Sequence, residues 1–154
     1  MPCLAFPYTP NVGPLLQLSI QKVAYRPSSA NLQRMPEGNA QEAISSYMSL
    51  VDSGASCTCI SPKVVRDVGL RPIGKQAVGG MHGRKVINTY QFRVVLLFPV
   101  GNNPAGGVLA NAVAFNVTGV EFEPSASFDV LLGRDVLCQG QFSMGWDGHA
   151  TFCV

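Results

Sequence analysis

Charged residues are scarce in this sequence: Asp, Glu, Lys and Arg make up 13% of its 154 positions, and the formal net charge is +2. Because no dense Lys/Arg cluster or acidic block is present, nucleic acid is a poor candidate partner. No apolar run approaches the roughly 20 residues needed to span a bilayer, and the segment before residue 8 lacks the pattern of a signal peptide. We therefore expect a cytoplasmic protein that has no membrane partner.

Cysteine is also sparse. The five cysteines, an odd number, show no spacing typical of a small disulfide-rich domain, so we expect small, buried, unpaired thiols. Two close pairs suggest an alternative, a metal site built from Cys57 and Cys59 with His149 and Cys153. Neither pair has the spacing of a common zinc module, and residues two apart on a strand more simply share a buried face. We therefore expect no metal and no organic cofactor.

By contrast, hydrophobic residues make up 47% of the chain, with 16 Gly and 11 Pro. This composition is typical of short strands joined by many turns, and the length is that of one domain. Apolar and β-prone segments predict strands at 15–21, 44–51, 57–60, 75–78, 84–87, 90–99, 109–117, 128–133, 142–146 and 150–154. A polar segment at 26–42 predicts an exposed loop. The sequence thus predicts an all-β domain over residues 1–154, with a core from about residue 15.

Two short helices complete this prediction. Ser61 is a favourable helix cap, Pro62 suits the first turn, and Gly69 ends the segment, so we expect a helix over 62–68. Residues 134–138 have the length of one helical turn. In addition, Asp147 and Gly148 form a strong hairpin-turn signal between the last two strands.

The most informative stretch is residues 50–56, Leu-Val-Asp-Ser-Gly-Ala-Ser. An ionised carboxylate beside buried apolar side chains is costly unless hydrogen bonds stabilise it. Gly54 allows the backbone to fold tightly around Asp52 and aim amide N–H groups at its carboxylate. An ordinary turn is the alternative, because Asp-Ser-Gly is also common turn chemistry. No second Asp-Ser-Gly or Asp-Thr-Gly occurs in the chain.

Three elements together resemble the retropepsin-like aspartic proteases, and most closely their bacterial single-domain group. These elements are the Asp-Ser-Gly-Ala run at 52–55, the glycine-rich hairpin tip at 79–83, and Val-Leu-Leu-Gly-Arg-Asp at 130–135. The resemblance covers about residues 45–154 and is strong because the elements occur in combination. It implies a single-domain acid protease barrel with a flap hairpin, assembled as a two-fold homodimer.

The resemblance also implies roles for individual residues. Asp52 would be the catalytic acid, in an active-site loop with Ser53, Gly54 and Ala55. The flap over the substrate would include Val78, Gly79, Gly80, Met81, His82 and Gly83. Structural support would come from Leu131, Leu132, Gly133, Arg134 and Asp135, with Arg134 in an ion pair. The retroviral acid after Asp-Thr-Gly-Ala is replaced here by Ser56-Cys57, so the partner of Arg134 is open between Asp67, Asp129 and Asp135.

Peptide hydrolysis by carboxylates requires one ionised Asp to activate water and one protonated Asp to polarise the scissile carbonyl. This chain supplies one such residue, so the economical solution is a homodimer in which each protomer contributes Asp52. The terminal residues 150–154 would then be interface strands. We expect an aspartic endopeptidase acting on peptide or protein substrates. The alternative is a weak or inactive dimer of the same fold that binds peptides or proteins.

Overall fold

The computed structural model describes residues 1–23, 45–80, 83–103, 107–123 and 127–154, and over these residues it is mostly β-strand, as predicted. The predicted loop at 26–42 lies outside the described residues. The helices are α1 (Pro62–Val68) and α2 (Arg134–Leu137). The described strands are β1 (Cys3–Thr9), β2 (Gly13–Lys22), β3 (Ser46–Val51), β4 (Cys59–Ile60), β5 (Gly74–Gly80), β6 (Gly83–Asn103), β7 (Gly107–Glu121), β8 (Val130–Leu132), β9 (Gln141–Met144) and β10 (His149–Cys153).

The strands form one sheet in the order β5-β6-β7-β4-β8-β3-β2-β1-β10-β9, with an additional pairing between β6 and β2. Most neighbours are antiparallel, whereas β3 with β8 and β4 with β7 are parallel. Strand β8 lies between β3 and β4, which are consecutive in the chain. The connection between β3 and β4, residues 52–58, therefore passes around the end of β8.

The core comes from alternate residues of the central strands, as expected for strands with one face turned inward. On β6, Phe92, Val94, Leu96 and Phe98 are each fully buried. Fully burying a side chain of this type stabilises the fold by about 1.5–3 kcal/mol before conformational entropy is subtracted. This alternation fixes the register of β6, because a shift by one residue would expose the whole set.

Helix α1 confirms its sequence prediction at both ends. The Ser61 hydroxyl accepts a hydrogen bond from the Val64 N–H at 3.3 Å, Pro62 is the first helical residue, and Gly69 follows the last with φ +68°. The left-handed conformation at Gly69 is one that glycine adopts without a steric penalty.

Two strand predictions were incomplete. Strand β6 is continuous over 21 residues, where two separate strands were predicted, and its pairing with β7 is irregular between Pro99 and Gly101. Strand β1 was not predicted at all, because its sequence holds Pro7 and no clear alternation. It nevertheless pairs with β10, and its residue Phe6 is buried in the core. The packed core therefore includes residues before residue 15.

The prediction of five buried, unpaired thiols was wrong. Cys3 and Cys153 face each other on β1 and β10, with Cα atoms 4.1 Å apart, and form a disulfide. Cys57 and Cys59 are half-buried and Cys138 is exposed. Disulfides persist mainly in oxidising compartments, so this bond gives no support to the expected cytoplasmic location. Among the described residues, no helix is long and apolar enough to cross a membrane.

Candidate functional site

Asp52 follows the last residue of β3 and begins a tight turn. Its backbone N–H donates to the Leu132 carbonyl at 3.0 Å, which extends the pairing of β3 with β8 by one residue. The Ala55 N–H donates to the Asp52 carbonyl at 3.2 Å and closes the turn. The buried strand β8 therefore holds the backbone of Asp52 in place at the point where the chain reaches the surface.

The Asp52 carboxylate is stabilised by the turn that follows it. The Gly54 N–H donates to Asp52 Oδ1 at 2.8 Å, and a Cβ atom at position 54 would lie only 3.1 Å from that oxygen. Asp52 itself is half-buried, whereas Ser53 and Gly54 are exposed. A carboxylate held by the backbone and open to solvent is suited to accept a proton from a water molecule.

Behind this loop, Thr58 and Asp135 join β4 to the start of α2. The Asp135 carboxylate accepts hydrogen bonds from the Thr58 N–H at 2.9 Å and from the Thr58 hydroxyl at 2.7 Å. The same hydroxyl accepts a hydrogen bond from the Gly133 N–H at 3.2 Å. Thr58 is fully buried. Sequence reasoning missed Thr58, because its partner is 77 residues away in the chain.

Gly133 packs directly against the loop. A Cβ atom at this position would lie 2.5 Å from the backbone carbonyl carbon and oxygen of Cys57, a distance that real Cβ contacts do not reach. The next residue, Arg134, donates its backbone N–H to the Ala55 carbonyl at 2.9 Å. On β8, Leu131 lies between its partners on β3 and β4. Residues 131–135, which were expected to give structural support, therefore lie against the Asp52 loop.

The side chain of Arg134 does not make the expected ion pair within the part of the chain that the structure describes, where no carboxylate lies within 4.0 Å of it. Asp67 and Asp129 lie 2.9 and 3.9 Å from the Lys63 ammonium group instead. Asp135, the third carboxylate considered, binds the backbone N–H and the hydroxyl of Thr58, directly before β4. The start of α2 is therefore anchored by the Asp135 side chain and the Arg134 backbone N–H, and not by an ion pair of the Arg134 side chain.

The predicted glycine-rich hairpin is formed by β5 and the start of β6. Val78 pairs with Lys85, Gly79 with Arg84, and Gly80 with Gly83. Gly83 has φ +100°, which favours glycine at this end of the tip. Met81 and His82, the remaining expected flap residues, lie outside the described residues.

A cavity of about 610 Å³ lies between this hairpin and the end of β7. The Lys85 ammonium group, on the hairpin side of the cavity, lies 3.3 Å from the Glu123 carboxylate on the opposite side. At the Glu121 side, the Tyr90 hydroxyl donates to the carboxylate at 2.6 Å, and burial together with this bond raises the pKa of Tyr90. Asp52 is not among the lining residues, which are Lys75, Val78, Gly83, Lys85, Val86, Ile87, Asn88, Glu121, Phe122 and Glu123.

Cys57 and Cys59 come directly after the Asp52 loop. Burial, followed by the proximity of Cys57, raises the pKa of the Cys59 thiol to about 12. The metal-site alternative also required Cys153, which is bound to Cys3. Across the described ranges, no group of three or more His, Cys, Asp or Glu residues is placed to hold a metal ion.

A family model described as aspartyl protease matches residues 45–136. Among solved structures, 18 chains match. One of them is a retropepsin-like aspartic protease from Rickettsia conorii, with a TM-score of 0.55 and 11% sequence identity over 97% of this chain and 89% of that chain. No curated protein matches.

Proposed function

The chain belongs to the aspartyl protease family, and from this we propose that it is a homodimeric aspartic endopeptidase with Asp52 of each protomer as its catalytic pair. The observation that carries the proposal is the Asp52 carboxylate itself. It is half-buried and accepts a hydrogen bond from the Gly54 N–H at 2.8 Å. Its backbone N–H is hydrogen-bonded to the Leu132 carbonyl on β8. The retropepsin-like fold of the chain agrees with this function.

In the proposed mechanism, two Asp52 carboxyl groups share one proton across a two-fold axis. The ionised group accepts a proton from the attacking water, and the protonated group donates to the scissile carbonyl oxygen. Because two carboxylates at close range cannot both ionise readily, their apparent pKa values separate and belong to the pair. The substrate is a peptide or an extended protein segment, and the β5–β6 hairpin acts as the flap that closes over it.

The arrangement of the last strands favours one surface for the second protomer. Residues 150–153 of β10, which were expected to be interface strands, pair with β1 on one side and β9 on the other. In the sheet that the described residues form, β9 is the last strand, so its outer edge is open to a partner strand. Met144 on β9 is 49% exposed and Trp146 just beyond it is 100% exposed. Exposed apolar side chains beside a free strand edge are typical of an interface.

The proposal is tested with Asp52→Asn, which keeps the shape of the side chain and removes the carboxylate. We expect the wild type to cleave a peptide library and to be inhibited by pepstatin, and we expect the variant to lose cleavage while sedimenting as the same dimer. Asp67→Asn is the matched control, because Asp67 lies on the exposed face of α1 and pairs with Lys63.

Cleavage by Asp52→Asn at the wild-type rate would show that Asp52 is not the catalytic acid. Peptide binding by both proteins without turnover would favour a binding module of this fold instead. A monomeric wild type that cleaves peptides would contradict the shared site.

A further inference from the structure

Cys57 and Cys59 place two thiols side by side at the end of the Asp52 loop. A single residue separates them: Cys57 lies in the bend that ends the Asp52 loop, and Cys59 begins β4. The Cys59 Sγ lies 3.6 Å from the Cys57 carbonyl oxygen, so the second thiol is folded back onto the residue that carries the first, and the Cys57 side chain is near enough to act on the Cys59 thiol. Both residues are half-buried and neither is part of a disulfide.

The backbone between the two thiols is held rigidly. Thr58, the intervening residue, is fully buried, donates two hydrogen bonds to Asp135 and accepts one from the Gly133 N–H. Gly133 also packs against the Cys57 backbone so closely that no Cβ atom would fit. The two sulfur atoms are therefore presented together without a large loss of backbone entropy when a ligand bridges them.

The number of sulfur ligands at this site decides which metal or metalloid can bind there. Structural zinc takes four protein ligands, whereas among the described residues no cluster offers three. Paired thiols prefer soft, thiophilic centres, and a trivalent arsenical carrying one organic group needs only two sulfur ligands. We propose that Cys57 and Cys59 form a dithiol site that binds one thiophilic metal or metalloid centre across both sulfur atoms.

The reaction with an organoarsenic oxide is a condensation without any change of oxidation state. Two S–H bonds break, two S–As bonds form, and the arsenic-bound oxygen leaves as water with the two thiol protons. The bridged product carries no net charge, so it suits a half-buried pair for which an isolated thiolate would be costly.

Occupation of this site also bears on catalysis, and this part of the inference rests on the proposed function. The Asp52 carboxylate is close enough to Cys59 for its charge to act on the thiol. Cys57 is separated from Ala55 of the active-site loop by a single residue. A bulky group bridging both sulfur atoms stops peptide hydrolysis by occupying the space beside the loop and fixing its end.

The site is tested by adding phenylarsine oxide to the intact protein and measuring its mass without reducing agent. We expect one adduct per chain, mapped to the peptide that holds both thiols and removed by a small dithiol. Cys57→Ser and Cys59→Ser should each weaken binding by about 100-fold or more, because one thiol loses the advantage of a linked second ligand. Cys138→Ser is the matched control, because Cys138 is exposed and lies at the end of α2.

An adduct that persists at the same affinity in either single variant, or that maps to Cys138, would overturn the dithiol site. No adduct on the folded wild type would overturn it as well. The mass measurement decides this whether or not the protein cleaves peptides. An untreated wild type without cleavage would contradict the proposed function instead, and a bridged protein with undiminished cleavage would refute the inhibitory effect alone.

Discussion

Replacing Thr58 with valine exchanges one buried hydroxyl for a methyl group of similar volume. In the wild type this hydroxyl donates to Asp135 at 2.7 Å and accepts from the Gly133 N–H at 3.2 Å. A hydrogen bond to a carboxylate contributes about 1.5–3 kcal/mol and a neutral one about 1 kcal/mol. Valine leaves the buried Gly133 N–H without its partner, whereas the Asp135 carboxylate loses one hydrogen bond and keeps those from the backbone N–H groups of residues 58 and 136. We therefore expect the free energy of unfolding to fall by about 2–3 kcal/mol.

Thr58→Ser is the matched control for this prediction. It keeps the hydroxyl and loses one buried methyl group, which costs about 1 kcal/mol. The two variants are compared by urea unfolding at one protein concentration, because a dimer gains stability by mass action. With a slope near 2 kcal/mol per molar urea, the valine variant should unfold about 1 M or more before the wild type. A valine variant as stable as the serine variant would refute the argument that this hydroxyl anchors the loop.

Three further predictions concern the interface, the thiol and the disulfide. Trp146→Ser should raise the dimer dissociation constant about 30-fold, as measured by sedimentation, whereas Ile73→Ser, also at an exposed apolar residue, should leave it unchanged. Because an unfolded thiol loses its proton above about pH 9 and folded Cys59 retains its own until about pH 12, the unfolded state binds fewer protons in this range. Wild-type stability should therefore fall more steeply in that window than the stability of Cys59→Ala, and parallel curves would contradict the shift. Replacing Cys3 and Cys153 by serine should lower the unfolding free energy by about 2–5 kcal/mol, because the disulfide closes a loop with a sequence separation of 150 residues; unchanged urea midpoints would argue against a stabilising bond.

The features that sequence predicted well have local causes. Helix α1 was placed correctly because Ser61, Pro62 and Gly69 each act within one turn of the helix ends. The family resemblance, now confirmed, rested on short runs in a fixed order. Asp52 could be singled out for the same reason, since its turn is formed by its immediate neighbours.

The features that sequence missed depend on partners far along the chain. Thr58 looked like an ordinary β-prone residue because Asp135, which gives it a role, is 77 residues away. The pairing of Cys3 with Cys153 follows from the register of β1 and β10, and β1 carried no strand pattern of its own. Spacing rules describe neighbours in sequence, so they hold no information on such contacts until the topology is known.

The position of β8 between β3 and β4 has a consequence for the order of events during synthesis. Asp52 emerges from the ribosome long before Leu132, whose carbonyl binds its N–H, and Thr58 emerges long before Asp135. Pairings between such distant segments form late, because the chain must close a long loop first. A nascent chain therefore carries Asp52 on an unsupported loop until β8 has been made. The Asp52 loop therefore takes its final shape only after β8 and the start of α2 have been synthesised.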